Sequence, residues 1–170
     1  QQHWEPPKEG TIRINTDAAI SAKMVRSGLG IIARNWRGEV VRAKGITARR
    51  KGIAATEEAL AIRGALEMAQ IAGWTTIEVQ SDCKHVVSLI NMDNGQDCSL
   101  QTILDDIDVQ KGNFESCTFT FVPRTVNQCS HELAQFAAKA TRDFEWEGSF
   151  PAWLSSLVRK DMGVVTPFCN

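Results

Sequence analysis

Residues 11–20, "TIRINTDAAI", combine a strand pattern with a carboxylate, and from these two features both the fold and a candidate site can be predicted. Ile12, Ile14 and Ala18 alternate with polar residues in a segment rich in β-branched side chains, which predicts a β-strand. Asp17 lies near the end of this strand, although aspartate has a low strand propensity and is seldom buried without a partner. The carboxylate at this position therefore needs an explanation from the rest of the chain.

The remaining periodic segments predict an α/β domain with a mixed five-stranded sheet flanked by helices. The order β-β-β-α-β-α-α-β-α suggests three antiparallel strands extended by two parallel strands that are reached through helices. The predicted strands cover residues 11–18, 28–34, 39–48, 75–80 and 116–124, and the predicted helices cover residues 56–72, 82–91, 99–112 and 127–144. We expect an N-terminal linker over residues 1–10, the domain over 11–144, and a C-terminal tail over 145–170.

Length and composition predict one globular domain and leave the class of partner open. The chain has 170 residues, of which 43% are hydrophobic and 23% charged, with a formal net charge of −1. No apolar run reaches the roughly 18 residues of a membrane span, and no signal peptide is recognisable. The five cysteines form no C-x-x-C pair, which argues against disulfides or a zinc ribbon and for a reducing compartment. We expect an intracellular protein, nuclear or cytoplasmic, and a piece of a longer chain because the sequence starts at Gln1.

Three carboxylates are predicted to meet at one edge of the sheet. Asp17 lies near the end of the first strand and Asp82 just beyond the end of the fourth, and sites in such sheets lie outside the carboxyl ends of strands. In helix 56–72 an apolar stripe faces the sheet, and at about 100° per residue Glu58 falls inside this stripe and Glu57 on the solvent side. Each acid also has a structural explanation: Asp82 as a helix N-cap, Asp17 as a turn residue, and Glu58 as a partner of the helix N-terminus.

The functional explanation of the same acids is a metal site. Three carboxylates that converge without a compensating Lys or Arg repel one another, and their pKa values rise. A hard divalent cation removes this repulsion, and Mg²⁺ prefers carboxylate oxygens, water and phosphate. Two such ions about 3.5–4 Å apart can activate a water and stabilise the leaving oxygen in phosphodiester hydrolysis. The spacing of the acids alone does not favour this explanation over the structural ones.

Five short motifs connect these acids to a known family. They are "NTDAA" with Asp17, "SGLGIIARN" with Gly28 and Gly30, "EEALAIRGALEMA" with Glu58, "VQSDCKHVV" with Asp82, and "VPRTVNQCSHELA" with Asn127 and His131. With these motifs, roughly residues 10–142 of the sequence resemble the ribonuclease H (type 1) family, especially its plant, reverse-transcriptase-like branch found in retroelement-derived proteins. Each motif alone is weak, and the five in this order are specific.

The resemblance implies a ribonuclease H-like fold and endonucleolytic hydrolysis of the RNA strand of an RNA–DNA hybrid. Asp17, Glu58 and Asp82 would be the acidic ligands of a two-ion Mg²⁺ site, with Mn²⁺ as the second candidate. Asp17 would bridge both ions, Asp82 would bind the ion that activates water, and Glu58 would also meet a ribose 2′-OH. This hydroxyl is the group by which a protein distinguishes RNA from DNA.

The sequence departs from the family pattern around the start of helix 127–144. Many members carry Asp where this chain has His131, and helical geometry places His131 roughly 160° from the apolar stripe, at the site or at the surface. We predict that His131 completes the catalytic and metal-binding set, although imidazole suits Mn²⁺ better than Mg²⁺. In the shortened loop "VPRTVN" we predict that Arg124 and Asn127 bind nucleic acid, and that Asn127 caps the helix. No basic protrusion occurs between residues 84 and 99, which predicts weak substrate affinity.

Two other classes of function stay open beside a metal-dependent hybrid nuclease of modest activity. One is a domesticated, non-catalytic nucleic-acid-binding module, and the other is a protein-interaction domain, for which the near-neutral charge and the apolar tail argue. In the tail, a short amphipathic helix beginning at Pro151 presents Trp153, Leu154, Leu157 and Val158 on one face. We expect this helix to dock on its own domain, and the protein to act as a monomer without a membrane or a small-molecule cofactor.

Overall fold

The centre of the computed structural model, which describes residues 3–92 and 99–163, is a six-stranded mixed sheet. The strands are β1 (Ile12–Ser21), β2 (Arg26–Arg34), β3 (Val40–Ala48), β4 (Thr76–Ser81), β5 (Ser116–Phe121) and β6 (Phe144–Trp146), in the spatial order β5-β4-β1-β2-β3-β6. Strands β1, β2, β3 and β6 pair antiparallel, whereas β4 and β5 extend the sheet from β1 in parallel. The predicted mixed α/β fold is confirmed, with one strand more than predicted.

The additional strand, β6, lies where the sequence predicts the end of a helix and the start of the tail. The helix ends at Lys139 instead of residue 144, because Ala140 is extended with ψ of 153°. Phe144 then pairs with Gly45 of β3. The Phe144 ring lies so close to Gly45 that any β-carbon there would collide with it. A glycine in one strand therefore makes room for the aromatic residue of another, a long-range fit that helical periodicity cannot reveal.

Helices cover both faces of the sheet. They are α1 (Ala54–Ala72), α2 (Lys84–Asn91), α3 (Gln101–Lys111), α4 (Gln128–Lys139) and α5 (Ala152–Asp161), and a 3₁₀ turn spans Arg124–Val126. The first three helices share the larger core with Ile31, whereas α4 and α5 share a second core with Ile32. These neighbours in β2 point to opposite faces, as successive strand residues do. Among the described residues, no helix is long and apolar enough to cross a membrane.

Two glycines in β2 allow α4 to lie directly on the sheet. A β-carbon on Gly28 would overlap backbone atoms of Ala134 and Ala138, and a β-carbon on Gly30 would overlap the backbone of Ser130. Glycine is typical of strand positions to which another backbone comes very close. The "SGLGIIARN" motif thus determines the position of α4, the helix that carries His131.

The described terminal segments pack on the domain and on each other. Residues 3–10 form no helix or strand, but Trp4 is buried and its backbone N–H donates to the Asp161 carbonyl at 3.1 Å, so the division into linker, domain and tail stays a prediction. The buried Arg34 guanidinium lies 3.7 Å from the centre of the Trp4 ring and pairs with the Asp161 carboxylate at 2.9 Å. Helix α5 buries Leu154 in the second core, so the tail docks on its own domain as expected.

Candidate active site

The strand register brings Asp17 and Asp82 together, although β1 does not end near Asp17 as predicted but runs on to Ser21 beside β2. Strands β1 and β4 are parallel, and Thr16 of β1 is paired with Ser81 of β4. Asp17 and Asp82 directly follow these two paired residues, so the two carboxylates lie at neighbouring positions. Asp82 is not the N-cap of α2: that position is held by Cys83, without a side-chain capping bond.

Glu58 completes an acidic cluster from the beginning of α1. Its Oε1 accepts a hydrogen bond from the Ala18 backbone N–H at 3.2 Å, which joins the helix to β1 next to Asp17. One carboxylate oxygen from each of Asp17, Glu58 and Asp82 lies within 4.8 Å of the other two. The structure thus shows the predicted convergence of the three acids, while their role as metal ligands stays a prediction.

The neighbouring Glu57 does not face solvent, so the prediction from helical geometry was wrong for this residue. Its side chain is 1% exposed and pairs with Arg50, whose Nε lies 3.0 Å from Oε1. Gly52 lies against the Glu57 carboxylate, and a β-carbon there would collide with it. The chain that leads into α1 therefore covers the side of the helix that an isolated amphipathic helix would expose.

Two buried carboxylate oxygens of the cluster, Asp17 Oδ1 and Glu58 Oε2, meet no donor from another group among the described residues. Without a cation, only a proton on Glu58 can form a hydrogen bond between this acid and Asp17. An unpaired buried acceptor costs about 1–3 kcal/mol, and more when it is charged, so such atoms indicate a missing partner. A hard divalent cation fits, because the donors are carboxylate oxygens, which Mg²⁺ prefers, and not the nitrogen or sulfur that softer ions select. The donor set is therefore suited to the cation that the sequence predicts.

The electrostatics of the cluster favour a protonated Glu58 when no cation is bound. Burial, and then repulsion by Asp17, raises the pKa of Glu58 to about 10. Burial and Asp17 also raise the pKa of Asp82, although Arg124 acts in the opposite direction. Because a cation stabilises the ionised form, metal binding at neutral pH would release the proton of Glu58.

A basic side chain, Arg124, lies beside the acids, although the sequence predicted that they converge without one. Its Nε donates to Asp82 Oδ2 at 2.6 Å, and its Nη1 lies 3.1 Å from His131 Nδ1. The Val122 N–H donates to the Ser81 carbonyl at 2.9 Å, which holds the chain beyond β5 next to Asp82. The pair was missed because its two residues are 42 positions apart and meet only through the pairing of β4 with β5.

His131 lines the cluster at its edge. Its Nδ1 lies 2.8 Å from Asp17 Oδ2, and its Nε2 lies 3.1 Å from Gln135 Nε2. A carboxylate can only accept, so Nδ1 donates to Asp17 and Nε2 accepts from the Gln135 amide. The ring is not among the ligand atoms that lie within 4.8 Å of one another, so its role as a metal ligand stays a prediction. Gln135 was missed, although its i+4 spacing from His131 could have identified it.

Asn127, predicted to cap α4 and to bind nucleic acid, is fully buried. It occupies the N-cap position, but its side chain makes no capping bond, so that prediction was wrong. Its Nδ2 instead donates to the Thr16 carbonyl at 2.9 Å, and its Oδ1 accepts from Asn15 at 3.0 Å. The amide therefore ties α4 to β1 beside the acidic cluster, and a contact with nucleic acid stays a prediction that this burial does not favour.

A family match covers most of the residues that build this site. Residues 15–137 match the family described as reverse transcriptase-like. The chain belongs to this family. The match includes all three acids of the cluster, Arg124 and His131. No curated protein matches this reverse transcriptase-like chain in sequence.

Solved ribonucleases H share the fold of this reverse transcriptase-like protein. Ribonuclease H1 of the halophilic archaeon Halobacterium salinarum NRC-1 aligns with a TM-score of 0.68 at 23% identity, over 75% of this chain and 96% of that one. LC11-RNase H1, solved with an RNA/DNA hybrid, aligns with a TM-score of 0.67 at 20% identity, over 75% and 96%. The prototype foamy virus protease-reverse transcriptase aligns with a TM-score of 0.59 at 14% identity, over 84% and 23%. The predicted ribonuclease H-like fold is confirmed, and membership of the plant branch stays a prediction.

Proposed function

We propose that this chain is a metal-dependent endonuclease that hydrolyses the RNA strand of RNA–DNA hybrids. The observation that carries the proposal is the acidic cluster of Asp17, Glu58 and Asp82, whose ligand oxygens lie within 4.8 Å of one another. Two of its buried oxygens meet no donor group in the part of the chain that the structure describes, as expected for ligands of a cation. The fold adds support, because LC11-RNase H1, which shares it, was solved with an RNA/DNA hybrid.

The acids would hold two divalent cations, Mg²⁺ or Mn²⁺, which when bound supply an activated water and stabilise the leaving oxygen of a phosphodiester. Asp17 interacts electrostatically with both Glu58 and Asp82, which suits a ligand shared by both ions. The Nδ1–H of His131 donates to Asp17 Oδ2, so that Asp17 Oδ1 is available to bind a cation. Glu58 would also accept a hydrogen bond from a ribose 2′-OH, which only the RNA strand carries.

Recognition of the hybrid would rest on few contacts. The Arg124 side chain is 55% exposed and lies at the cluster, where a guanidinium can bind a phosphate through paired N–H donors. The net charge of −1 provides no general attraction for nucleic acid, so we propose a modest affinity that falls with salt. The protein would act on the hybrid as a monomer and without a small-molecule cofactor.

A cleavage assay with matched substrates tests the proposal. The same end-labelled RNA is offered in a hybrid with DNA, as a single strand, and in an RNA duplex, each with Mg²⁺, Mn²⁺ or EDTA. We expect cleavage of the hybrid only and only with a divalent cation. The products should carry 5′-phosphate and 3′-hydroxyl ends, because water attacks the phosphorus and the 3′-oxygen is the leaving group. Cleavage in EDTA, or of single-stranded RNA to 2′,3′-cyclic phosphate ends, would refute the proposal.

The ion pair between Arg124 and Asp82 favours one alternative, a non-catalytic module that binds nucleic acid. A guanidinium that neutralises one of the acids would weaken the attraction of the cluster for a cation. The same substrates separate the two functions. Salt-dependent binding of the hybrid, with no cleavage in either metal, would identify the binding module.

A further inference from the structure

Arg124 places a permanent positive charge at the acidic cluster. Its Nε donates to Asp82 Oδ2 at 2.6 Å, a short charge-assisted hydrogen bond. The guanidinium is charged at any pH at which the protein is folded. In this structure Asp82 thus already has a cation beside it, whereas within residues 3–92 and 99–163 no basic group or N–H donor reaches Asp17 Oδ1 or Glu58 Oε2.

We propose that Arg124 is a tethered counter-ion that competes with the divalent cation for Asp82. It pairs with Asp82 Oδ2 when no metal is bound, and it leaves this carboxylate when a cation binds the Asp82 side chain. The inference rests on the metal site of the proposed function and adds a regulation of that site. The physical reason is that two cations beside one carboxylate repel each other, so that each lowers the affinity of the site for the other.

The structure allows the side chain to leave without disturbing the fold. The Arg124 backbone is fixed, because its carbonyl accepts from the Asn127 N–H and from the Gln128 side chain, each at 3.0 Å. Val126, in the same 3₁₀ turn, is buried in a small core with Trp4. The guanidinium, by contrast, is on a side chain that is 55% exposed and can rotate into solvent. Once released from Asp82, it is free to bind a phosphate group of the incoming strand.

The expected size of the competition follows from the partial exposure of the pair, since the Arg124 side chain is 55% exposed and the Asp82 side chain 7% exposed. We take the upper end of the range for exposed ion pairs, about 1 kcal/mol, which corresponds to a factor of about five in affinity. Removal of the guanidinium in Arg124→Ala should therefore tighten binding of a divalent cation about fivefold. Arg124→Lys keeps the charge within reach of Asp82 and should stay within about twofold of the unmodified protein.

Titration of the full chain with Mn²⁺, followed by electron paramagnetic resonance without nucleic acid, measures this affinity directly. The matched control is Arg37→Ala, because Arg37 is exposed in the turn between β2 and β3, at the opposite end of the sheet, where it stacks on Trp36 at 4.7 Å. We expect about fivefold tighter binding in Arg124→Ala, and unchanged binding in Arg124→Lys and Arg37→Ala. An equal increase in Mn²⁺ affinity in both alanine variants would show that the effect comes from net charge alone, and it would overturn the inference.

The remaining outcomes separate the inference from the proposed function. Mn²⁺ binding that is equal or weaker in Arg124→Ala would overturn the competition and leave the metal site intact. No Mn²⁺ binding to any of the proteins would overturn the metal site and the inference with it.

A titration with diamagnetic Mg²⁺ provides a second readout, in which the Arg124 Nε–H signal in a ¹H–¹⁵N spectrum should move towards that of a free arginine. A signal that stays fixed while Mg²⁺ binds would contradict the release of Asp82.

Discussion

Replacement of Glu58 by glutamine should stabilise the metal-free protein, and the gain should grow with pH. Burial, and then repulsion by Asp17, raises the pKa of Glu58 from 4.5 to about 10 in the folded protein. Below about pH 4.5 the Glu58 carboxyl is protonated in both the folded and the unfolded chain, so it adds no pH dependence to the free energy of unfolding there. Between about pH 4.5 and pH 10 only the folded protein keeps the proton, so stability is lost as pH rises through this window.

The magnitude follows from the single proton that distinguishes the two states. One proton corresponds to about 1.4 kcal/mol per pH unit, so the free-energy difference between Glu58→Gln and the unmodified protein should grow by about 3 kcal/mol from about pH 5.5 to about pH 7.5. This slope requires only that the folded pKa lies above the measured range. The exact value of the pKa does not enter.

Denaturant unfolding in EDTA, followed by tryptophan fluorescence at a series of pH values, provides the measurement. Glu115→Gln, a change of an exposed glutamate outside the cluster, is the control for loss of a surface carboxylate. Added Mg²⁺ should stabilise the unmodified protein more than Glu58→Gln, because the ion removes the cost of the ionised acid. If the difference in unfolding free energy between Glu58→Gln and the unmodified protein did not change with pH, this account of the cluster would be refuted.

Three further predictions concern the tail and His131. Asp161→Asn leaves the buried guanidinium of Arg34 without its anion and should cost about 3–5 kcal/mol in denaturant unfolding, whereas a loss below about 1 kcal/mol would show that the pair is not structural. Truncation after Asp143 removes the sixth strand as well as α5 with the buried Leu154, so we expect a loss of more than about 5 kcal/mol and no cooperative thermal transition; a cooperative melt would show that the tail is dispensable. His131→Asp should lower the ratio of Mn²⁺-supported to Mg²⁺-supported cleavage, and an unchanged ratio would place this residue outside the reach of the metal.

Local patterns in the sequence were sufficient to predict the acidic cluster. Alternation located the end of β4 next to Asp82, whereas β1 continues past Asp17 to Ser21. The two acids meet nevertheless, because the parallel pairing of β1 with β4 stops at Thr16 and Ser81, one residue before each acid. Helical spacing placed Glu58 on the face of α1 that lies on the sheet. These predictions depend only on strand and helix geometry, which is why they agree with the structure.

Features that depend on long-range contacts could not be predicted in the same way. Glu57 is buried because the segment around Arg50 folds over α1, and helical geometry says nothing about such a cover. The sixth strand forms because Gly45 accommodates an aromatic ring from a segment almost a hundred residues away in the chain. The partner of Asp82, Arg124, is brought near by β5, and a motif that contains only one of the two residues cannot show the pair.

The central claim is that the acidic cluster cleaves the RNA strand of a hybrid, and Asp17→Asn tests it most directly. Asparagine keeps the size of the side chain and an acceptor for the His131 N–H, so the fold and hybrid binding should persist, while the charge that holds a cation is lost. Side-by-side measurement of hybrid binding and of cleavage of the labelled RNA strand with Mg²⁺ should show similar binding by both proteins and cleavage by the unmodified protein alone. Cleavage by Asp17→Asn at the rate of the unmodified protein would contradict the assignment of the site.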